Sequence, residues 1–431
     1  MEKNLEQNQE MEVEITADKA ISIIDSILNP PEPNEVETLI KKLKDAEAIN
    51  DSEYKQSEEG ELVYIDIYGK NQLSDDHYNS ILKALDASKK CYHLTLDFTN
   101  CQFAKKITEV LSVVSNMKQL RFLEAEFNQN NIDSIICQQM SQSLKLNKNL
   151  QTLKLKLKHN QIKEQGLISL ADAISELKQL QTVDIKLYEN QIANGMSYLI
   201  EKLSHITTLT DLTLFFSKND LQDQQAQEIG AALGKLTSVN KLFIYSGYKE
   251  IINQIYSIKL EVKSIKLKQN RWNQIGSDGL KQIAQGIQKI PDLKSLKLYL
   301  SSNQITSVGF LHLLQNINQC RQLAYLEISL SGNKLNSEHV ELNKNQFVSA
   351  FRDFNNNLKN LKHFILYLRK NDLKSSFNSL FSILKQNKNL HHLILDYSFN
   401  NQILPDRKKV EFMMKKIVRL TSVIVHLDPV N

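Results

Sequence analysis

Residues 150–162 read LQTLKLKLKHNQI and residues 293–305 read LKSLKLYLSSNQI, two copies of one phrase, L-x-x-L-x-L-x-L-x-x-N-x-I. Taking its first apolar residue as position 1, copies begin at Leu62, Cys91, Leu120, Leu150, Leu180, Leu209, Val239, Val262, Leu293, Leu323, Leu361, Leu390 and Leu420. Most steps are 29 or 30 residues, so the series counts twelve units and a thirteenth strand that closes the array. Within a unit, positions 4, 6 and 8 are apolar and alternate with other residues, the period-2 signature of a strand with one face buried. Position 11 is Asn in register at Asn130, Asn160, Asn190, Asn219, Asn303, Asn333 and Asn371. A buried amide at the end of each strand can satisfy main-chain groups where the chain turns away, and repetition stacks such amides into a ladder.

The second half of each unit changes period. Leu167, Leu170, Ala171, Ile174 and Leu177 follow helical spacing, as do Phe310, Leu313, Leu314 and Ile317. Parallel strands lie about 4.8 Å apart, whereas packed helices need about 8–10 Å. The helix side is therefore the longer arc. The expected architecture is an α/β solenoid, a horseshoe with a parallel sheet on its concave face and helices on its convex face.

These residues resemble the leucine-rich repeat superfamily, and the 29–30-residue helical units are most similar to its ribonuclease-inhibitor-like class. The resemblance covers residues 61–431. The family phrase is usually L-x-x-L-x-L-x-x-N/C-x-L. Here an extra apolar residue at position 8 (Leu157, Leu187, Leu300, Leu330, Leu368) puts two more residues before the Asn. That departure predicts a longer strand and a deeper concave wall. Cys101 in the Asn slot matches the family's N/C alternation.

Two units break the rhythm. The one from Val239 spans only residues 239–261 and lacks the Asn, and the one from Leu323 runs 38 residues with an insertion around 336–344. Either drift or a kink with a protruding loop accounts for them. Residues 1–60 do not repeat. Ala17, Ile21, Ile24 and Leu28 suggest one helix, and Val36, Leu39, Ile40 and Leu43 another, with Asn34 and Glu37 placed as a capping box. The default expectation is a helical cap on the first unit, its rival a tethered arm, with residues 50–59 (NDSEYKQSEE) as linker.

Charge divides along the same boundary. Residues 1–60 hold 16 acidic and 6 basic side chains, a net of −10, while 61–431 carry a net of +14. The four cysteines form no framework, which fits a reduced intracellular protein, cytoplasmic or nuclear. MEKNLEQNQEMEVEI has no basic n-region or apolar h-region and does not read as a secretory signal. No run of about 18 apolar residues is present to span a bilayer.

Catalytic signatures are missing from the sequence. Twelve glycines spell neither a phosphate-binding loop, nor a dinucleotide fingerprint, nor a nucleophile elbow. His391 and His392 are adjacent on a strand and point to opposite faces, so they cannot share one metal. A C-x-x-C pair is also absent. No enzyme, metal or cofactor is expected.

What remains is the inner face of the sheet, where positions 3, 5 and 7 point away from the core. The N-terminal units present Tyr64, Asp66, Tyr68, His93, Asp97, Phe122, Glu124 and Glu126. Lys154, Lys156, Lys158 and Lys186 follow, mixed with Asp184. Phe215, Phe243, Tyr245, Lys266, Lys268, Lys297, Tyr299, Tyr325, Tyr367 and Arg369 complete the map, which runs from acidic to basic with aromatics along much of it. Exposed rings on a rigid sheet are the material of protein-binding hot spots. The expected function is a non-enzymatic protein-binding scaffold, a monomer outside its complex. Single-stranded nucleic acid held by the lysines and rings is the alternative, although only 7 of the 53 basic residues are Arg. Regulation of a small GTPase, as in some proteins of this class, is a further alternative from resemblance alone.

Overall fold

The computed structural model describes residues 49–56, 62–69, 74–102, 104–192, 194–246, 273–335, 344–371, 389–396 and 422–426, with 38, 41, 398 and 400 singly. A two-strand start, β1 (Ile49–Gln56) and β2 (Leu62–Gly69), leads into α1 (Asp75–Asp86). Strand and helix then alternate: β3 (His93–Asp97), α2 (Ala104–Val114), β4 (Phe122–Glu126), α3 (Ser134–Leu144), β5 (Thr152–Lys156), α4 (Lys163–Ser175). The pattern continues through β6 (Thr182–Lys186), α5 (Gly195–Ser204), β7 (Asp211–Phe215), α6 (Asp223–Leu233), β8 (Lys241–Tyr245), α7 (Ser277–Ile287), β9 (Ser295–Tyr299) and α8 (Ser307–Ile317). It ends with β10 (Tyr325–Ser329), α9 (Lys344–Asn357), β11 (His363–Tyr367), β12 (His392–Asp396) and β13 (Ser422–His426).

All thirteen strands among the described residues join one sheet in chain order. From β2 onward they are parallel and in register by repeat, so that Lys154 faces Glu124 on one side and Asp184 on the other. The fold is a leucine-rich repeat solenoid with the sheet on the inner arc and the helices on the outer one. The wider spacing of helices than of strands dictates that curvature. Its core is the repeat itself: Leu153, Leu155 and Leu157 from one unit and Leu296, Leu298 and Leu300 from another are fully buried. Each such side chain contributes about 1.5–3 kcal/mol relative to exposure. On the helix side Leu167, Leu170, Ala171 and Ile174 meet them, as the spacing requires.

Three expectations change. Of residues 50–59, read as linker, 50–56 belong to β1, which pairs antiparallel with β2 from Ile49 opposite Gly69 to Gln56 opposite Leu62. A polar, charged edge strand lacks the alternation that marks an inner one, yet it suits the end of a sheet because charge discourages pairing with other chains. Of the two helices expected before residue 49, only residues 38 and 41 of the second are described, both helical; of the insertion at 336–344 only Lys344 is described, as the first residue of α9. Second, the strands from β3 onward are five residues long rather than longer. Interstrand bonds do continue past them, with Leu157 N–H donating to Lys186 O and His159 N–H to Tyr188 O, both 2.8 Å. The pleat stops because position 10 is left-handed, with φ of 57° at Gln129, 54° at His159 and 57° at Glu189.

Third, β8 pairs directly with β9, Phe243 opposite Lys297 and Tyr245 opposite Tyr299. No strand from a unit at Val262 stands between them, and Lys266 and Lys268 lie outside the described residues. The unit from Val239 does have its asparagine: Asn273 Oδ1 accepts from Asn219 N (2.9 Å) and Leu221 N (3.1 Å), while its Nδ2 donates to Phe216 O (3.1 Å). This matches Asn160, which accepts from Asn130 N and Ile132 N (3.0 Å each) and donates to Phe127 O (3.0 Å). Asn400 extends the ladder at the other end, accepting from Asn371 N at 2.8 Å.

The returning chain is held on the outer arc as well. Asp223 Oδ1 accepts from Gly276 N (2.6 Å) and Gly279 N (3.0 Å), so the first residue of α6 caps the start of α7. The two helices then touch backbone to backbone. A Cβ on Gly230 would overlap the Gln282 carbonyl, and one on Gly286 the Gly230 carbonyl.

Candidate functional site

The inner face is built by positions 3, 5 and 7 of each strand, which the parallel register brings into rows running across the sheet. Along the position-5 row stand Glu124, Lys154, Asp184, Thr213, Phe243, Lys297 and Glu327. Side chains one repeat apart in sequence are therefore about 4.8 Å apart in space.

This adjacency changes the charge map. Lys154 Nζ lies 2.9 Å from Glu124 Oε2, and Lys156 Nζ lies 2.6 Å from Glu124 Oε1 and also pairs with Glu126. Lys186 approaches Asp184 at 3.9 Å, Lys241 approaches Asp211 at 2.6 Å, and Arg369 Nε is 3.7 Å from Asp396. The acidic and basic blocks read along the chain are interlocked ion pairs rather than two separate surfaces. Burial opposes ionisation of Glu124, but hydrogen bonds from Lys156 and Lys154 hold its carboxyl below the ordinary value. Burial likewise opposes the charge on Lys156, and Glu124 and Glu126 outweigh it, raising that lysine. At Asp184 the balance reverses: burial wins over Lys186, Lys156 and Lys154, and the carboxyl is raised.

The aromatic residues are likewise engaged with one another. Tyr188, two residues past the end of β6, and Phe215, Tyr245 and Tyr299 at the ends of β7, β8 and β9 form a row, with ring centroids 6.1, 5.5 and 4.7 Å apart. Phe215 and Tyr299, expected to be exposed, are buried at 7% and 4% exposure, because each ring is covered by the next. Tyr245 remains half-buried; burial, with Glu327 nearby, raises its hydroxyl. Lys158 reaches past one strand to place Nζ 5.6 Å from the Phe215 ring.

Two smaller groups flank this row. Toward the C-terminus, Glu327 is buried (6% exposed), accepting from the Tyr299 hydroxyl and from the Tyr325 hydroxyl at 2.7 Å. Lys297 stands 3.5 Å from Glu327 and lies over the rings of Phe243 (5.0 Å) and Tyr325 (5.1 Å). Toward the N-terminus, Phe122 stacks on His93 with centroids 3.9 Å apart and planes at 4°, and Lys154 lies 5.0 Å from the Phe122 ring. Tyr367 is half-buried at position 7 of β11. Tyr64 and Tyr68 occupy β2 opposite His93 and Asp97, their side chains outside the described residues.

Of the candidates named from sequence, the structure thus brings Phe215, Tyr245 and Tyr299 into one row, Phe243, Lys297 and Tyr325 into a second group, and Phe122, Lys154 and Lys156 into a third. Tyr367 ends β11, and Arg369 follows it beside Asp396. The residues sequence reasoning missed are Tyr188 in the ring row and the buried partner Glu327. The signal for Glu327 was available, since Lys297 and Glu327 hold the same position in successive units. All four cysteines are buried thiols. Burial pushes Cys101, Cys137 and Cys320 up to about 12, far from the reactive thiolate range. Among the described residues no group of three or more metal-ligating side chains is gathered, and no helix is long and apolar enough to cross a membrane.

No protein-family model and no curated protein matches the chain. Among solved structures, it is similar to the Rad7 and Elc1 complex in yeast at 14% identity and a TM-score of 0.48, covering 94% of this chain and 86% of that one. It is also similar to the TLR13–ssRNA13 complex at 14% identity and a TM-score of 0.34, covering 86% of this chain and 55% of that one. The fold assignment rests on the strand order and the asparagine ladder described above.

Proposed function

We propose that the chain is a non-enzymatic scaffold that grips a protein partner on the concave face of its repeat array. The observation that carries this reading is the ring row Tyr188–Phe215–Tyr245–Tyr299, in which Tyr188 leans on Phe215 and the other three rings stack across three strands. Rings already locked in place lose little side-chain entropy on binding, so their contact area is retained as affinity. Half-buried Phe243, Tyr245 and Tyr325 sit at the centre of this surface, with ion pairs around them. That arrangement of anchors within a polar rim is the usual anatomy of a protein interface. The lysines that favoured nucleic acid already have carboxylate partners at Glu124, Glu126 and Glu327, which weakens that alternative.

In the same reading, the chain belongs with the ribonuclease-inhibitor-like class, on the support of 29–30-residue units that each carry an α-helix. It works inside the cell, where buried thiols stay reduced. The test is affinity purification with mass spectrometry of the wild-type chain, a Phe243→Ala/Tyr245→Ala double variant, and a control altered at Lys235 in the exposed turn after α6. A partner kept by the control and lost by the double variant supports the concave face. Equal capture by all three refutes it.

A further inference from the structure

A cavity of about 490 Å³ lies away from the concave face, on the rim where the strands begin, lined by Tyr92, Gln119, Arg121, Asn149, Gln151 and Gln179. Its size falls in the range of ligand sites, about 300–1,000 Å³. Two rows from successive units make it. Tyr92, Arg121 and Gln151 each immediately precede a strand, and Gln119, Asn149 and Gln179 occupy the turns that lead there.

Its chemistry differs from that of the inner face. There, lysines are matched by carboxylates across the strands. Here the Arg121 guanidinium makes no ion pair or hydrogen bond to any other described residue, and neither do the side-chain amides of Gln119, Gln151 and Gln179. The backbone behind them is fully engaged: Tyr92 O accepts from Arg121 N (2.9 Å) and Phe122 N (3.0 Å), and Arg121 O from Gln151 N (2.8 Å) and Thr152 N (2.9 Å). The rim is a closed hydrogen-bonded edge that presents unspent side-chain donors and acceptors. Exposed Lys118, Lys148 and Lys178 precede the three turn amides; Lys148 is paired with Glu176 at 2.7 Å. Charge at the groove is therefore net positive.

We propose that this rim groove is a second binding site, for an extended acidic peptide segment of a partner protein. A guanidinium presents two parallel N–H donors that match a carboxylate. Glutamine amides offer a donor and an acceptor each, which is what alternating peptide N–H and C=O groups require. The groove spans four units, roughly 15 Å at strand spacing, the length of about four or five extended residues. The 45% exposed Tyr92 ring gives the segment an apolar contact at one end. A single ring without a second at stacking distance suits a peptide better than a run of bases, for which stacking is the main source of affinity.

The test is fluorescence polarisation of the full chain with a labelled glutamate-rich octapeptide at low salt. Salt-dependent binding is expected, with Arg121→Gln weakening it about tenfold or more, as loss of a charge-assisted pair does. Gln119→Ala/Gln151→Ala should weaken it by a smaller factor. Lys281→Gln on α7, the same charge change far from the groove, should leave it unaltered, as should Phe243→Ala, so failure here is separable from failure of the concave-face reading. The proposal is overturned by absence of binding, by equal effects of Arg121→Gln and Lys281→Gln, or by equal affinity for a neutral glutamine octapeptide. It is also overturned if a single-stranded oligonucleotide displaces the peptide and shows the stronger dependence on Arg121.

Discussion

Residues 120–238 and residues 239–305 build the same sheet from very different lengths of chain. In the first region the residue at position 8 and its ladder asparagine are three apart, as Leu157 and Asn160 or Phe216 and Asn219. In the second, Ser246 and Asn273 are 27 apart. The sheet does not register the difference, since β8 and β9 pair as closely as β5 and β6. Position in a solenoid is set by what the flanking residues bind rather than by how much chain lies between them. This is consistent with loop-closure entropy that grows only logarithmically with length. The interrupted unit is held on the outer arc by the Asp223 cap and the Gly230–Gly286 contact.

That contrast can be broken at several points. The largest effect is expected at Gly286. Gly286→Ala drives a Cβ into the Gly230 carbonyl of a neighbouring helix and should cost about 3 kcal/mol despite the better helix propensity of alanine. Gly195→Ala in the regular region meets its neighbours at 3.2–3.3 Å and should change stability by less than about 1 kcal/mol. Urea midpoints of the two variants decide this, and equal midpoints would remove the distinction between the regions.

Next comes the ladder. Asn273→Ala and Asn219→Ala each leave buried N–H and C=O groups without partners and should cost about 2–3 kcal/mol apiece. A neutral Asn273→Ala would show that the chain rejoins the array in another register. Asp223→Ala removes the cap from α7 and should cost about 1 kcal/mol by the same measurement. The smallest effect belongs to the most drastic edit. Deleting residues 247–270 restores a 30-residue unit, with Arg271 and Trp272 before Asn273, and should shift stability by less than about 1 kcal/mol. Circular dichroism and thermal melting check it. Collapse of the array would show that the segment is structural.

Much of this architecture is legible in the residues alone. Leu153, Leu155, Leu157 and Asn160 declare their places by spacing, because period-2 burial and an amide at the turn leave few alternatives. The false unit at Val262 shows where legibility ends. VKSIKLK has the alternation of a strand, and alternation records that a face is apolar without recording what covers it. One sign was available: Asn273 stands eleven residues after Val262, whereas the ladder asparagine of other units stands ten after its anchor. β1 was missed for the opposite reason, since an edge strand needs no apolar face to pair.

On the inner face, the parallel register sets positions 3, 5 and 7 in rows, whereas Lys158 and Arg369 fall at position 9, past the ends of β5 and β11. Phe215 and Tyr299 were read as exposed because a residue pointing away from the core is expected to meet water. Stacking between neighbours 4.7–5.5 Å apart covers them instead.

The sequence by itself determined the repeat, the alternation of strand and helix, the buried leucines and the ladder of asparagines. These follow from local periodicity and from the need of every buried polar group for a partner. Only the tertiary structure decided which strands are neighbours, that the lysines at 154, 156 and 297 are already paired, and that the rim arginine has no ionic partner among the described residues. Those are relations between residues about 30 or more positions apart, and such distances are set when the units stack.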